Sequence, residues 1–280
     1  MVKERGKNVM TISVASGKGG VGKTNVVANL ALAMKRLGRK PMVFDADLGL
    51  SNIDVLLHLA PRYNIQHLLK GERSLKDIIV EGPEGILILP ASSGVQELTT
   101  LNEFQRLRIL EEFDSFDHDI DTLLIDTSAG ISENVAFFCV AAQEIIVVTS
   151  PEPTAVTDAY ALIKVLSNRY QERDFDVLVN SVRSETEAID VFKRLSIATE
   201  RFLNISINYL GFIPLDYSVQ KAVRSQKAFL SAYPDCLASK QIMDIAKQLI
   251  EAEKKKELKG NLQFFIGNLV SAGERLSGKI

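Results

Sequence analysis

Three short stretches hold most of the residues able to do chemistry. Ser16-Gly17-Lys18-Gly19-Gly20-Val21-Gly22-Lys23-Thr24 sets Gly17, Gly22, Lys23 and Thr24 in the G-x-x-x-x-G-K-[ST] spacing. In that pattern backbone N–H groups at a helix N-terminus form a nest for phosphate oxygens, and glycines supply positive φ and close approach. Lys23 is expected to bring charge to the outer phosphates and Thr24 a hydroxyl to Mg²⁺, with Gly19, Gly20, Val21 and Asn25 completing the phosphate-binding segment. Lys18 is a second lysine that ordinary loops of this kind lack. The other stretches, Asp45-Ala46-Asp47-Leu48-Gly49-Leu50-Ser51-Asn52 and Asp126-Thr127-Ser128-Ala129-Gly130, each begin where an apolar run ends. Asp126 is placed to hold Mg²⁺ directly or through water. Because Mg²⁺ keeps several waters and takes only one or two protein carboxylates, Asp45 and Asp47 are expected to hold those waters. Taken singly, each aspartate also reads as an N-cap or turn former; beside the phosphate loop they form one candidate site.

The elements that must position these groups follow from patterning. Val9–Ala15 reads as a buried strand leading into the loop, and Asn25–Leu37 as the helix leaving it. Further short apolar runs, at 41–45, 85–90, 122–126, 144–149, 176–180 and 207–213, suit strands buried on both faces. Helical patterns lie between them near 103–113, 132–142, 156–170, 185–202 and 239–256. This alternation predicts an α/β fold, a mainly parallel sheet flanked by helices on both faces, with ligands at the carboxyl ends of the strands.

The 280 residues are 46% hydrophobic, enough for one large domain, which is expected over residues 1–256. A net charge of −2 gives no global argument for a nucleic-acid partner. Cys139 and Cys236 fit a reducing compartment, Cys139 as a buried small hydrophobe. His58, His67 and His118 lack metal-ligand spacing. No apolar core follows the charged start of the chain, and no apolar run reaches the roughly 18 residues of a spanning helix, so a cytoplasmic protein is expected.

The two-lysine loop, the Asp45–Asn52 stretch and Asp126-Thr127-Ser128-Ala129-Gly130-Ile131-Ser132 together resemble the MinD/ParA family of deviant Walker ATPases. Within it, Pro151-Glu152-Pro153-Thr154-Ala155-Val156-Thr157-Asp158-Ala159-Tyr160-Ala161-Leu162-Ile163-Lys164 is similar to the flagellar-number regulator branch, FlhG or FleN. The resemblance runs from about Met10 to Ser231. It implies an ATP-dependent homodimer with ATP or ADP and Mg²⁺ as cofactors, and Lys18 acting on the partner's phosphates much as an arginine finger does. It also implies that Asp47 positions the attacking water, that Asp45 sits in the Mg²⁺ water network, and that Asn52 lies near the dimer face. Asn180, Pro214 and Asp216 fall where the family reads adenine; a loop-capping amide is the alternative for Asn180. Flagellar assembly proteins are the implied partners: an FlhF-like GTPase and a flagellar regulator or switch component. The glutamine- and leucine-containing segment through which such regulators activate FlhF is not found in Met1–Met10. Nor does the chain carry the cysteines by which relatives hold iron–sulfur clusters after the Asp126 position.

Leu262, Phe265, Ile266, Leu269, Val270 and Leu276 line one face of a helix expected over 257–280, behind Lys254-Lys255-Lys256 and Lys259. A basic run before an apolar stripe suits peripheral attachment to an anionic membrane at the inner face of the cell membrane; a helix docked on its own domain is the alternative. Arg194, Arg201, Lys221, Arg224 and Lys227 are candidates for a DNA-binding strip of the kind a partitioning ATPase needs, although a solvated helix face explains them with fewer assumptions. A synthetase reading would need a further substrate pocket that the sequence does not reveal.

Overall fold

The computed structural model describes residues 9–49, 51–91, 101–114, 116 and 119–255. Strands β1 (Met10–Ser16), β2 (Pro41–Ala46), β3 (Val80–Glu81), β4 (Leu87–Leu89), β5 (Thr122–Ala129), β6 (Glu144–Thr149), β7 (Asp176–Val182) and β8 (Asn208–Pro214) form one sheet in the order β3-β4-β2-β5-β1-β6-β7-β8. Every pairing is parallel except β3 with β4. The helices among the described residues are α1 (Lys23–Arg36), α2 (Ile53–Leu56), α3 (Ile65–Leu69), α4 (Leu75–Ile78), α5 (Glu103–Asp114), α6 (Glu133–Ala141), α7 (Pro153–Tyr170), α8 (Glu185–Leu203), α9 (Tyr217–Arg224), α10 (Phe229–Ala232) and α11 (Leu237–Lys255).

β1 shows why the strands read as unbroken apolar runs. Met10, Ile12 and Val14 join the layer containing Leu30 and Met34 of α1 and Ile242, Ile245 and Leu249 of α11. Val9 and Ala15 join the opposite layer, with Phe137 and Phe138 of α6, Ile163 and Leu166 of α7 and Val191 of α8. Both faces are covered, so no polar side needs to alternate with the apolar one. The central strand has β5 on one side and β6 on the other, so the chain reverses its direction of winding beside the carboxyl end of β1, where open α/β sheets bind ligands.

The parallel sheet between two helical layers agrees with the sequence. Differences lie at boundaries and in short elements. α7 starts at Pro153 rather than Val156, because proline suits the first helical position, where its missing N–H has no intrahelical partner anyway. The strand expected at 85–90 shortens to Leu87–Leu89; Pro83–Gly85 makes a 3₁₀ turn with Glu84 at φ 57°. α2, α3, α4, α9, α10 and β3 were not expected, since elements of two to eight residues display too little period. His118 and the segment 257–280 lie outside the described residues.

Phe138 is fully buried, edge-on to Phe44 with centroids 5.3 Å apart and to Phe137 at 5.2 Å. Phe138→Ala is expected to cost about 3–5 kcal/mol, read as a lower urea midpoint at unchanged slope; a loss below about 1 kcal/mol would show that this layer closes over the cavity.

Candidate functional site

The site grows out of an interruption in the sheet. β1 pairs with β5 in steady register up to Val14 opposite Asp126, and the register then shifts so that Ser16 faces Ala129. The chain can therefore leave the sheet and turn into α1. Gly20 and Gly22 take φ of 81° and 90°, the left-handed region where a side chain would be strained. A Cβ on Gly22 would stand 2.3 Å from Asn180 Nδ2, and one on Gly17 would stand 2.1 Å from the Asp158 carbonyl oxygen of α7. Two outside tethers fix the loop: Gly130 N–H donates to Ser16 O at 2.8 Å and Asn180 Nδ2 donates to Val21 O at 2.7 Å. Beneath it, Lys23 Nζ donates to Asp126 Oδ1 at 2.5 Å, a pair with side chains only 8% and 2% exposed.

Asp45 stands opposite Asp126 on the neighbouring strand and is 1% exposed. Its Oδ1 accepts from Asp47 N–H at 3.1 Å, and its Oδ2 from Ser51 Oγ at 2.8 Å and the amides of Asn52 and Ile53 at 3.3 and 3.4 Å. Burial, and then the Asp126 charge, raise its carboxyl from 3.8 to about 7, against the lowering by Ser51 and the amides of Asp47 and Ile53. Asp45 thus shapes the segment that delivers Asp47.

Asp47 and Asn52 line a cleft of about 450 Å³ together with Gly19, Gly20, Gly22, Lys23, Thr24 and Asn25; Val55, Leu56, Val223 and Gln226 complete its wall. A smaller adjoining pocket of about 130 Å³ brings Asn180, Pro214 and Asp216 together with Val21, Gly22 and Asn25, and also with Ser181, Val219 and Phe229. The Asp216 carboxylate accepts from Ser218 N–H at 2.8 Å and Ala238 N–H at 3.4 Å, so its charge is directed at the starts of α9 and α11. Although burial acts to raise it, the Ser218 and Ala238 amides and the Ser218 and Cys236 side chains hold this carboxyl below its ordinary value.

Of the residues singled out from sequence, Gly17 packs against α7 instead of facing the cleft, Asp45 and Asp126 lie under the cleft's charged floor, and Lys18 turns aside. Lys18 Nζ pairs with Glu152 and donates to Thr154 Oγ1 at 2.9 Å. These two partners were not identified as site residues. Pro153 at the first turn of α7, directly between them, was the available signal, because it sets the helix start that aims both side chains at the loop. The Asn180 amide proves to hold the loop as well as lining the side pocket. Cys139 is fully buried, and burial pushes its thiol up to about 12. The five basic residues considered for DNA divide between α8 and α9 and the turn after it, with Arg201 over the Phe202 ring and Lys221 over the Tyr217 ring.

The arrangement suits a Mg²⁺-bound nucleoside triphosphate. The left-handed glycines shape a phosphate cradle, Lys23 and the start of α1 bring positive charge, and Thr24 with the nearby carboxylates supplies the hard oxygen donors Mg²⁺ prefers. Asn25 Oδ1, buried with no hydrogen-bond partner among the described residues, is an acceptor that a ligand donor would satisfy.

Comparison with known proteins agrees with this geometry. Residues 12–229 match the family model described as the CobQ/CobB/MinD/ParA nucleotide binding domain. The chain is 42% identical over 262 residues to antiactivator FleN of Pseudomonas aeruginosa, covering 94% of each chain. It is 35% identical over 244 residues to the flagellum site-determining protein YlxH of Helicobacter pylori, covering 87% of this chain and 82% of that one. Among solved structures, the septum site-determining protein MinD complexed with Mg-ADP from Pyrococcus horikoshii superposes with a TM-score of 0.72 at 25% identity, covering 89% of this chain and 99% of that one.

The raised carboxyl of Asp45 has a definite sign in stability. The folded protein holds a proton that the unfolded chain has released, so this contribution is fully present below about pH 4 and is lost as pH rises through about 7. Melting temperatures of nucleotide-free protein are expected to fall between pH 5 and pH 8, and Asp45→Asn is expected to flatten that slope whatever its own stability. An identical slope in both proteins would assign the titration to another group.

Proposed function

Since this chain belongs to the MinD-like branch of the CobQ/CobB/MinD/ParA nucleotide-binding family, we propose that its ATPase cycle drives a dimerising switch that regulates flagellar number or placement. The observation that carries the reading is the unequal setting of the two loop lysines: Lys23 is buried on Asp126, while Lys18, beside the cleft-lining Gly19 and turned to Glu152 and Thr154, keeps 35% of its side chain exposed. A cation held at the rim is placed to serve a nucleotide facing it from a second copy. The 42% identity to an antiactivator named FleN supports the flagellar role.

Each residue then has a task. The Gly17–Thr24 backbone binds and orients the phosphates, Lys23 exchanges its bond to Asp126 for the outer phosphates, and Thr24 and Asp126 would hold Mg²⁺. The ion would supply positive charge against the negative charge that develops on the phosphate oxygens. Asp47, delivered to the cleft by Asp45, orients the attacking water, and Lys18 crosses to the partner's phosphates after leaving Glu152 and Thr154. The side pocket of Asn180, Pro214 and Asp216 takes the base. Residues 1–256 form the ATPase domain in this reading. The apolar spacing of Leu262 to Leu276 supports 257–280 as a segment for reversible attachment to anionic membrane, with flagellar proteins as partners. Among the described residues, no helix is long and apolar enough to cross a membrane.

Lys18→Ala is expected to bind Mg-ADP within about twofold of wild type yet lose ATP turnover by about 100-fold or more, the scale of removing one transition-state donor. Wild-type specific activity should fall on dilution. Turnover by the variant at the wild-type rate, or activity independent of concentration, would refute action in trans. Asp47→Ala is expected to run as a dimer with Mg-ATP by light scattering, and a monomer under those conditions would remove Asp47 from the hydrolytic step. Pelleting with anionic liposomes in Mg-ATP should be lost from a chain ending at Lys256, and equal pelleting of both chains would reject the membrane role of 257–280.

A further inference from the structure

Two helices beside the nucleotide cleft end, as α7 and α8 do at Gln171 and Asn204, on a left-handed residue that is not glycine. α2 closes through His58 at φ 53°, and α9 closes through Gln226 at φ 51°. Helices commonly end on a left-handed residue, and glycine is the ordinary occupant because it has no Cβ to strain. Here both positions carry side chains, and the two side chains meet. His58 Nδ1 lies 3.0 Å from Gln226 Oε1, and Gln226 Nε2 donates to Val55 O at 3.0 Å, at the last turn of α2. One amide thus links α2 to the end of α9.

The linked segments serve opposite parts of the site. Upstream of α2 lie Asp47 and Asn52, both in the cleft wall, as are Val55 and Gln226. α9 begins on Asp216, which caps it and lines the side pocket with Asn180 and Pro214. A helix of eight residues therefore connects the pocket at one end to the brace at the other.

We propose that Gln226 is a positioning residue: through His58 and the Val55 carbonyl it ties the Asp47–Asn52 segment to α9, so that filling the side pocket steadies the water-orienting wall. This rests on the nucleotide reading of the cleft.

The test uses the full chain as wild type, Gln226→Ala, Gln226→Gly, His58→Ala and the double variant H58A/Q226A. In wild type, Mg-ADP is expected to slow amide hydrogen exchange at residues 52–57 by about tenfold or more, and both Gln226 variants should lose most of that slowing. ATP turnover in both should fall about tenfold with KM within about twofold, as displacement of an orienting group predicts. His58→Ala should act in the same direction, and the double variant should be no worse than Gln226→Ala, because one link is being cut twice. Glycine separates the brace from a merely structural role: if Gln226 only ends a helix, Gln226→Gly would match wild type, and that result overturns the proposal. Equal slowing by Mg-ADP in wild type and Gln226→Gly, or no slowing in wild type, overturns it too. A wild-type protein that binds Mg-ADP but never hydrolyses ATP would defeat the ATPase reading alone, while the exchange comparison would still decide the brace.

Discussion

Ionisable groups buried at the carboxyl ends of three adjacent strands organise the structure around them. Asp45 on β2 and Asp126 on β5 face each other, and Lys23 at the first position of α1 reaches down to the second of them. Two carboxyl groups and one ammonium in a dry interior cannot all be charged and unsatisfied, since desolvation of each is expensive. The protein resolves this by pairing Lys23 with Asp126 and by turning Asp45 into the anchor of a loop, with its carboxyl raised toward neutrality. The start of α1, the gathering of Ser51, Asn52 and Ile53 onto Asp45 and the delivery of Asp47 to the cleft all follow from that solution. A hydrophobic replacement of similar volume could hold the fold, but it could not hand a lysine to an incoming polyanion.

Much of this was legible in the amino-acid sequence, and the reason is physical. The apolar runs that became β1, β2, β5, β6, β7 and β8 are covered on both faces, so their composition alone betrayed them. Gly20 and Gly22 were marked because positive φ and close approach leave few alternatives to glycine. Less legible was everything that depends on tertiary contact. Nothing local to Gln226 announces that its amide will meet His58 from 168 positions away, and nothing local to Asn180 announces that its amide tethers the Val21 carbonyl. Pattern shows which residues are equipped for chemistry; folding decides which of their bonds are already committed.

The two lysines of the phosphate loop illustrate the difference. In the sequence they are five positions apart and chemically identical. In the structure one is enclosed on a carboxylate under the loop, while the other is held at the rim by Glu152 and Thr154 at the start of α7. The more exposed pair is screened and weakly held, and the enclosed pair is not. Exchange of partners is therefore cheaper for the exposed pair than for the bond beneath the loop.

At the far end of the molecule, α11 finishes against the base of the sheet. Arg39, in the turn before β2, reaches Glu253 at 2.8 Å and Asp121, just ahead of β5, at 3.2 Å. The last described turn of α11 is thus clamped where strands begin, while the nucleotide cleft opens where they finish. Whatever follows Lys255 starts its path from the pole opposite the catalytic mouth. α1 and α11, which pack side by side, span the height of the domain between that pole and the cleft, so the pole and the mouth share one continuous helical layer.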